Sequence, residues 1–174
     1  CNYVYSGLCA YRGGYYFGDG TSCLDVTCPG NDLYEDAIPL PVPSLIDGST
    51  IGATYDSLFP DCETGITGPG VWYSITGTGN TITVWTCDPA TTYDTKLNVY
   101  CGNSDSPVCI AGNDDNCGMP GHELFSTLSF CSQADATYNI LVQGYGGQAG
   151  NFRLGISDDR IPCEGAIDCG MAPG

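Results

Sequence analysis

Residues 71–76 read Val71-Trp72-Tyr73-Ser74-Ile75-Thr76, and the same beat returns in Thr81-Ile82-Thr83-Val84-Trp85. Val71, Tyr73 and Ile75 fall on one side of an extended chain and Trp72, Ser74 and Thr76 on the other, because successive strand side chains point to opposite faces. Leu97 and Val99 alternate in the same way with Lys96, Asn98 and Tyr100. Tyr138, Ile140 and Val142 form another apolar face, and Phe152, Leu154 and Ile156 a further one. Period two in short runs, punctuated by Gly, Asn, Asp and Pro, predicts antiparallel strands. Weaker strand signals lie at 50–54, 107–111 and 123–131, and the one helical hint is a turn at Asp32–Ala37. About eight such strands predict an all-β chain, an antiparallel β-sandwich of jelly-roll type. Trp72 and Trp85 then lie opposite the core faces, so one of them is expected either under the N-terminal segment or against a neighbouring molecule.

Composition places this sandwich outside the cell. The 174 residues include twelve cysteines, a density that stays oxidised only where glutathione and thioredoxin do not act. An apolar fraction of 42% is enough for a core, so the bridges supplement it. Four basic residues against twenty acidic ones give a net charge of −16, which excludes a nucleic-acid partner, since phosphate binding needs clustered Lys and Arg. No long apolar run exists, so no membrane insertion is expected. No Asn-x-Ser/Thr sequon occurs. A start at Cys1 is read as a mature product from which a secretion signal has been removed. The expected location is extracellular, secreted or on the cell surface.

Three parts are expected. Residues 1–30 form a small disulfide-stapled N-terminal segment, 31–158 the sandwich, and 159–174 a cysteine-bearing tail. The first holds Cys1, Cys9, Cys23 and Cys28 and ends at Pro29-Gly30. Disulfides are preferred to zinc, because only one histidine is present and spacings such as Cys163–Cys169 are too wide for a metal knuckle. Expected local pairs are Cys101 with Cys109, Cys117 with Cys131, and Cys62 with Cys87. The partners of Cys1, Cys9, Cys23, Cys28, Cys163 and Cys169 stay open at this stage.

Several motifs together resemble the bacterial pre-peptidase C-terminal domain, a secreted β-sandwich, over roughly residues 31–158. They are Tyr93-Asp94-Thr95-Lys96-Leu97-Asn98-Val99-Tyr100, the turn Ala111-Gly112-Asn113-Asp114-Asp115, and Tyr138 to Gly147 followed by Gly150-Asn151-Phe152-Arg153-Leu154. Asn31-Asp32-Leu33-Tyr34-Glu35-Asp36-Ala37-Ile38 is similar to the opening of a cysteine-rich variant, in which Cys often stands at the place of Tyr34. Gly13-Gly14 with Gly18-Asp19-Gly20-Thr21-Ser22-Cys23 and Cys28-Pro29 resembles a short cysteine-rich module of bacterial surface proteins. The resemblance implies a non-catalytic extracellular role and calcium binding.

Calcium is also suggested by the residues themselves. Asn113, Asp114 and Asp115 share one turn, Asp94 precedes a strand, and Asn31, Asp32, Glu35 and Asp36 cluster near the domain start. Hard oxygen ligands from adjacent Asp and Asn suit calcium, and a bound divalent cation removes carboxylate repulsion. The alternative is a solvated Asn-Asp-Asp turn.

An enzyme is not expected. His122, the one histidine, enters a strand at Gly121-His122-Glu123-Leu124, and no Gly-x-Ser-x-Gly elbow exists. Tyr3, Tyr5, Tyr11, Tyr15, Tyr16 and Phe17 crowd a segment too small to hide them, and are expected either at a partner interface or packed on the sandwich. The first functional expectation is a structural subunit of a bacterial surface filament, calcium-stabilised and joined head-to-tail through the N-terminal arm or an edge strand. Copies of the chain are then its partners. The alternative is a secreted accessory module that targets a polysaccharide or a surface protein.

Overall fold

The structure, a computed structural model, describes residues 28–56, 58–118 and 120–169. Two sheets face each other. β1 (Ile38–Pro39), β3 (Gly70–Thr76), β8 (Thr137–Gly144), β5 (Thr95–Asn103) and β6 (Ser106–Asn113) lie in that order in a five-stranded sheet. β2 (Ser44–Ser49), β9 (Asn151–Pro162), β4 (Asn80–Trp85) and β7 (Thr127–Cys131) form a four-stranded sheet. All pairings are antiparallel except β1 on β3. The expected turn at Asp32–Ala37 is a short 3-10 helix, Tyr34–Asp36.

Every apolar face read from alternation points into the core. Val71, Tyr73, Ile75, Ile82, Val84, Leu97, Val99, Tyr138, Ile140, Val142, Phe152, Leu154 and Ile156 pack in one cluster between the sheets. The weaker signals at 107–111 and 123–131 fall within or across β6 and β7, whereas 50–54 is not a strand. There the Pro-flanked segment 44–49 supplies β2 instead. β9 continues to Pro162, beyond the start of the tail at 159.

The outer face of the five-stranded sheet is roofed by its own chain. Trp72, Tyr100 and Leu141 on that face pack with Tyr34, Cys62 and Ile66, flanked by Tyr55 and Phe59. Trp72 meets Tyr34 edge-on at 5.0 Å between ring centroids and Phe59 at 4.9 Å. Thus Trp72 is covered by the β2–β3 connection and the helical turn. Amide side chains hold this roof down. Asn98 Nδ2 donates to the carbonyls of Cys62 and Thr64 at 3.1 and 2.9 Å. Gln143 Oε1 accepts from the Thr67 and Gly68 amides. Asn139 Nδ2 donates to Tyr34 Oη at 2.7 Å. Two of these buried amides thus bond loop backbone and the third bonds the Tyr34 hydroxyl, so each buried polar group finds a partner.

Among the described residues four disulfides join Cys62–Cys109, Cys87–Cys117, Cys101–Cys169 and Cys131–Cys163. All three local pairings expected from sequence are therefore corrected. In the β5–β6 hairpin Cys101 stands opposite Val108 and Tyr100 opposite Cys109. That offset sends Cys101 into the core and Cys109 out to the roof. Cys117 lies at the end of the sandwich where its amide bonds the Phe125 carbonyl, while Cys131 lies at the far end of β7 opposite Thr81. Cys62 and Cys87 belong to different sheets' surroundings, the first on the roof and the second just past β4. Cys28 is also disulfide-bonded. Cys1, Cys9 and Cys23, with Tyr3, Tyr5, Tyr11, Tyr15, Tyr16 and Phe17, lie outside the described residues.

Candidate functional site

Asp94 stands one residue before β5, and Asp114 and Asp115 directly follow β6. Because β5 and β6 are paired with Leu97 opposite Asn113, the start of one and the end of the other meet at the same end of the sandwich. Oxygens of the three carboxylates all come within 4.8 Å of one another. A buried knot fixes this end. Thr86 Oγ1 and Thr95 Oγ1 are 2.6 Å apart, and both accept from the Ser126 amide. The Ser126 hydroxyl lies within hydrogen-bond reach of the Thr95, Asn113 and Asp114 carbonyls and donates its one proton among them. Cys87–Cys117 clamps the loop that follows.

The electrostatics of this cluster are unbalanced. Lys96, only 3% exposed, places Nζ 3.5 Å from Asp114 Oδ2 and over the Tyr145 ring. One ammonium faces three carboxylates. Burial first, then repulsion from Asp115 and Asp114, pushes Asp94 up to about 6 against the pull of Lys96. Asp115 is raised by burial and by Asp114. Asp94 Oδ1 and Asp114 Oδ1 are buried and have no hydrogen-bond donor among the described residues. The donor set fits a hard divalent cation such as calcium: carboxylate oxygens, no soft ligand, and two oxygens left without a partner.

The other expected ligands are placed differently. Asn113 Oδ1 accepts from the Thr127 amide at 3.1 Å, so this side chain closes the β6–β7 corner. Asn31 Nδ2 donates to the Trp72 carbonyl, and Asp32 accepts from the Thr54 amide and hydroxyl. Asn31 and Asp32 thus fasten the domain opening to the β2–β3 connection. Glu35 is exposed, its carboxyl held low by the Ser104 hydroxyl. Asn31, Asp32 and Glu35 do not join the cluster of Asp94, Asp114 and Asp115. His122 lies against Phe125 at 4.9 Å, and its buried Nδ1 has no hydrogen-bond partner among the described residues.

A second feature occupies the outer face of the four-stranded sheet. Leu45 stands opposite Gly155, Gly155 opposite Trp85, and Trp85 opposite Thr127, so these four residues form one row across all four strands. A Cβ built on Gly155 would lie 2.1–2.6 Å from indole atoms Cε2, Cζ2 and Nε1 of Trp85. The indole therefore lies across β9 in a space that only glycine leaves open. Leu45 is 60% exposed. On one side of the row Thr83 Oγ1 meets Ser129 Oγ at 2.7 Å and donates to Asp159, which also accepts from Ser157. On the other, Arg153 pairs with Asp47 at 2.9 Å and reaches Asp88 at 3.6 Å. Alternation alone placed Trp85 outward. The interior strand glycine at 155 was the signal for the row, and pairing was needed to read it.

No family model matches the chain, and no curated protein matches it. Among solved structures it is similar to the pre-peptidase C-terminal domain of a Bacillus anthracis collagenase, with 14% identity and a TM-score of 0.46 over 70% of this chain and 94% of that one. It is also similar to Aeromonas hydrophila PliG, a periplasmic inhibitor of g-type lysozyme, with 14% identity and a TM-score of 0.41 over 70% and 96%. The first is the family that the sequence motifs resemble.

Proposed function

We propose that this chain is a non-catalytic extracellular binding module, a cystine-pinned sandwich stiffened by calcium at Asp94, Asp114 and Asp115. One observation carries the reading. The outer face of the five-stranded sheet is roofed by the chain's own loop, whereas on the outer face of the four-stranded sheet Leu45 is 60% exposed and Trp85 is half-buried over Gly155. Bare sheet faces with an aromatic at their centre suit contact with a partner. The disulfides support an oxidising, extracellular setting.

Fluorescence quenching tests the bare face, because the chain has two tryptophans and Trp72 is fully buried. Acrylamide is expected to quench a component that Trp85→Phe removes. Emission shielded in the native chain and unchanged by Trp85→Phe would contradict the reading. Calcium is tested by thermal melts. Millimolar calcium, the range used by extracellular modules, is expected to raise Tm by about 2–4 °C per kcal/mol of binding energy. Asp115→Asn, at an exposed position that leaves the Lys96–Asp114 pair intact, is expected to remove most of that rise. Equal melts with calcium and with chelator would reject the metal.

A filament subunit is the second reading, favoured by the edges. β6 and β7 each end their sheet, with no further strand paired to their outer edge among the described residues. An unpaired edge is a template for a partner's strand. Negative-stain imaging at several calcium levels tests it. Filaments that dissolve on deletion of residues 1–30 would support a joint made by that arm, and filaments that survive would reject it.

A further inference from the structure

Resting on the binding-module reading, we infer that the row Leu45–Gly155–Trp85–Thr127 is the binding site for a neutral polysaccharide chain. The row crosses three inter-strand gaps, about 14 Å at the usual strand spacing, which accommodates a short run of linked pyranoses. Trp85 lies over Gly155, so its indole offers a face to the apolar C–H side of a sugar ring, and exposed Leu45 extends that surface. Hydroxyls and carboxylates flank the row where sugar hydroxyls would project: Thr83, Ser129 and Asp159 on one side, Asp47 and Asp88 on the other. A few placed polar groups around an apolar floor give orientation and specificity.

Charge selects among occupants. Arg153 is tied to Asp47 and Asp88, and Asp159 sits at the same face's margin, so the face carries excess negative charge. On a chain of net charge −16, two copies brought face to face would repel, and a polyanionic glycan would be repelled too. A neutral glycan meets no such barrier and can use the carboxylates as acceptors.

The test is retention of the full chain on microcrystalline cellulose, chitin and insoluble β-1,3-glucan. Retention on at least one solid is expected, weakened about tenfold or more by Trp85→Ala, since tryptophan anchors dominate such contacts. Gly155→Val, which pushes the indole off β9, is expected to weaken it as well. Leu58→Ala, an exposed leucine on the β2–β3 connection, is expected to leave it unchanged. Melts of each variant separate loss of binding from loss of fold. Retention on none of the solids, or retention unchanged by Trp85→Ala, overturns the inference. Self-association abolished by Trp85→Ala without glycan retention assigns the face to a second copy and also overturns it. If acrylamide reaches Trp85 but no solid retains the chain, the glycan fails while the binding-module reading stands.

Discussion

Asp56 shows how much one side chain can bias this fold. Its carboxyl lies in the β2–β3 connection, and burial pushes it up to about 7; the Trp72 indole N–H pulls the other way, while Asp32 and Glu35 add to the rise. An acid whose folded value exceeds its unfolded one holds its proton longer in the native state. Stability is then full below the unfolded value, falls as pH rises from about 4 towards 7, and stays low above that. Asp56→Asn, neutral at every pH, is expected to raise the melting temperature at pH 8 and to match the native chain near pH 4. The penalty relieved is on the order of a few kcal/mol. A variant equally destabilised at both pH values would contradict it. Asp56 carries no mark in the sequence, because its burial depends on the loop folding back over Trp72. Asp94, Asp114 and Asp115 were legible, since a strand start and an Asn-Asp-Asp turn both name themselves. Lys96 within that cluster was not, because alternation marked it only as an outward residue.

The β2–β3 connection is the element whose behaviour separates this fold from a plain sandwich. It is latched by Cys62–Cys109 and by Asn98 and Gln143, and Gly112 lets it approach so closely that a Cβ there would lie 1.8 Å from the Cys62 carbonyl oxygen. Removing the latch as Cys62→Ala with Cys109→Ala is expected to cost about 2–4 kcal/mol. Hydrogen exchange should quicken in 58–68 and Trp72 emission should shift to the red. Exchange spread evenly over all strands would contradict a local latch. Gly112→Ala is expected to be more damaging than a typical surface change, because backbone rather than a flexible side chain blocks the new methyl. The core faces were legible because burial obeys period two. The pairing of cysteines was not: a register shift between Val99 and Tyr100 decides which face Cys101 and Cys109 take, and such an irregularity leaves no local signature. The roof was also hidden, because alternation marks Asn98, Asn139 and Gln143 only as outward residues, whereas Asn98 and Gln143 bond loop backbone and Asn139 bonds the Tyr34 hydroxyl.

For the whole molecule, the described disulfides fasten what the sheets alone leave loose. Cys101–Cys169 draws the C-terminal stretch into the core, Cys131–Cys163 pins the end of β9 to β7, Cys87–Cys117 closes the end that carries Asp94, Asp114 and Asp115, and Cys62–Cys109 holds the roof. Sequence separations of 30 to 68 residues make each bridge a constraint on the unfolded chain, and each should contribute about 2–4 kcal/mol. Reduction is accordingly expected to lower the melting temperature sharply and to abolish the calcium-dependent rise. The most direct test is a non-reducing peptide map of the native protein by mass spectrometry. Linked peptides joining Cys62 to Cys109, Cys87 to Cys117, Cys101 to Cys169 and Cys131 to Cys163 are predicted; free thiols at these positions, or a peptide joining Cys101 to Cys109, would contradict the account.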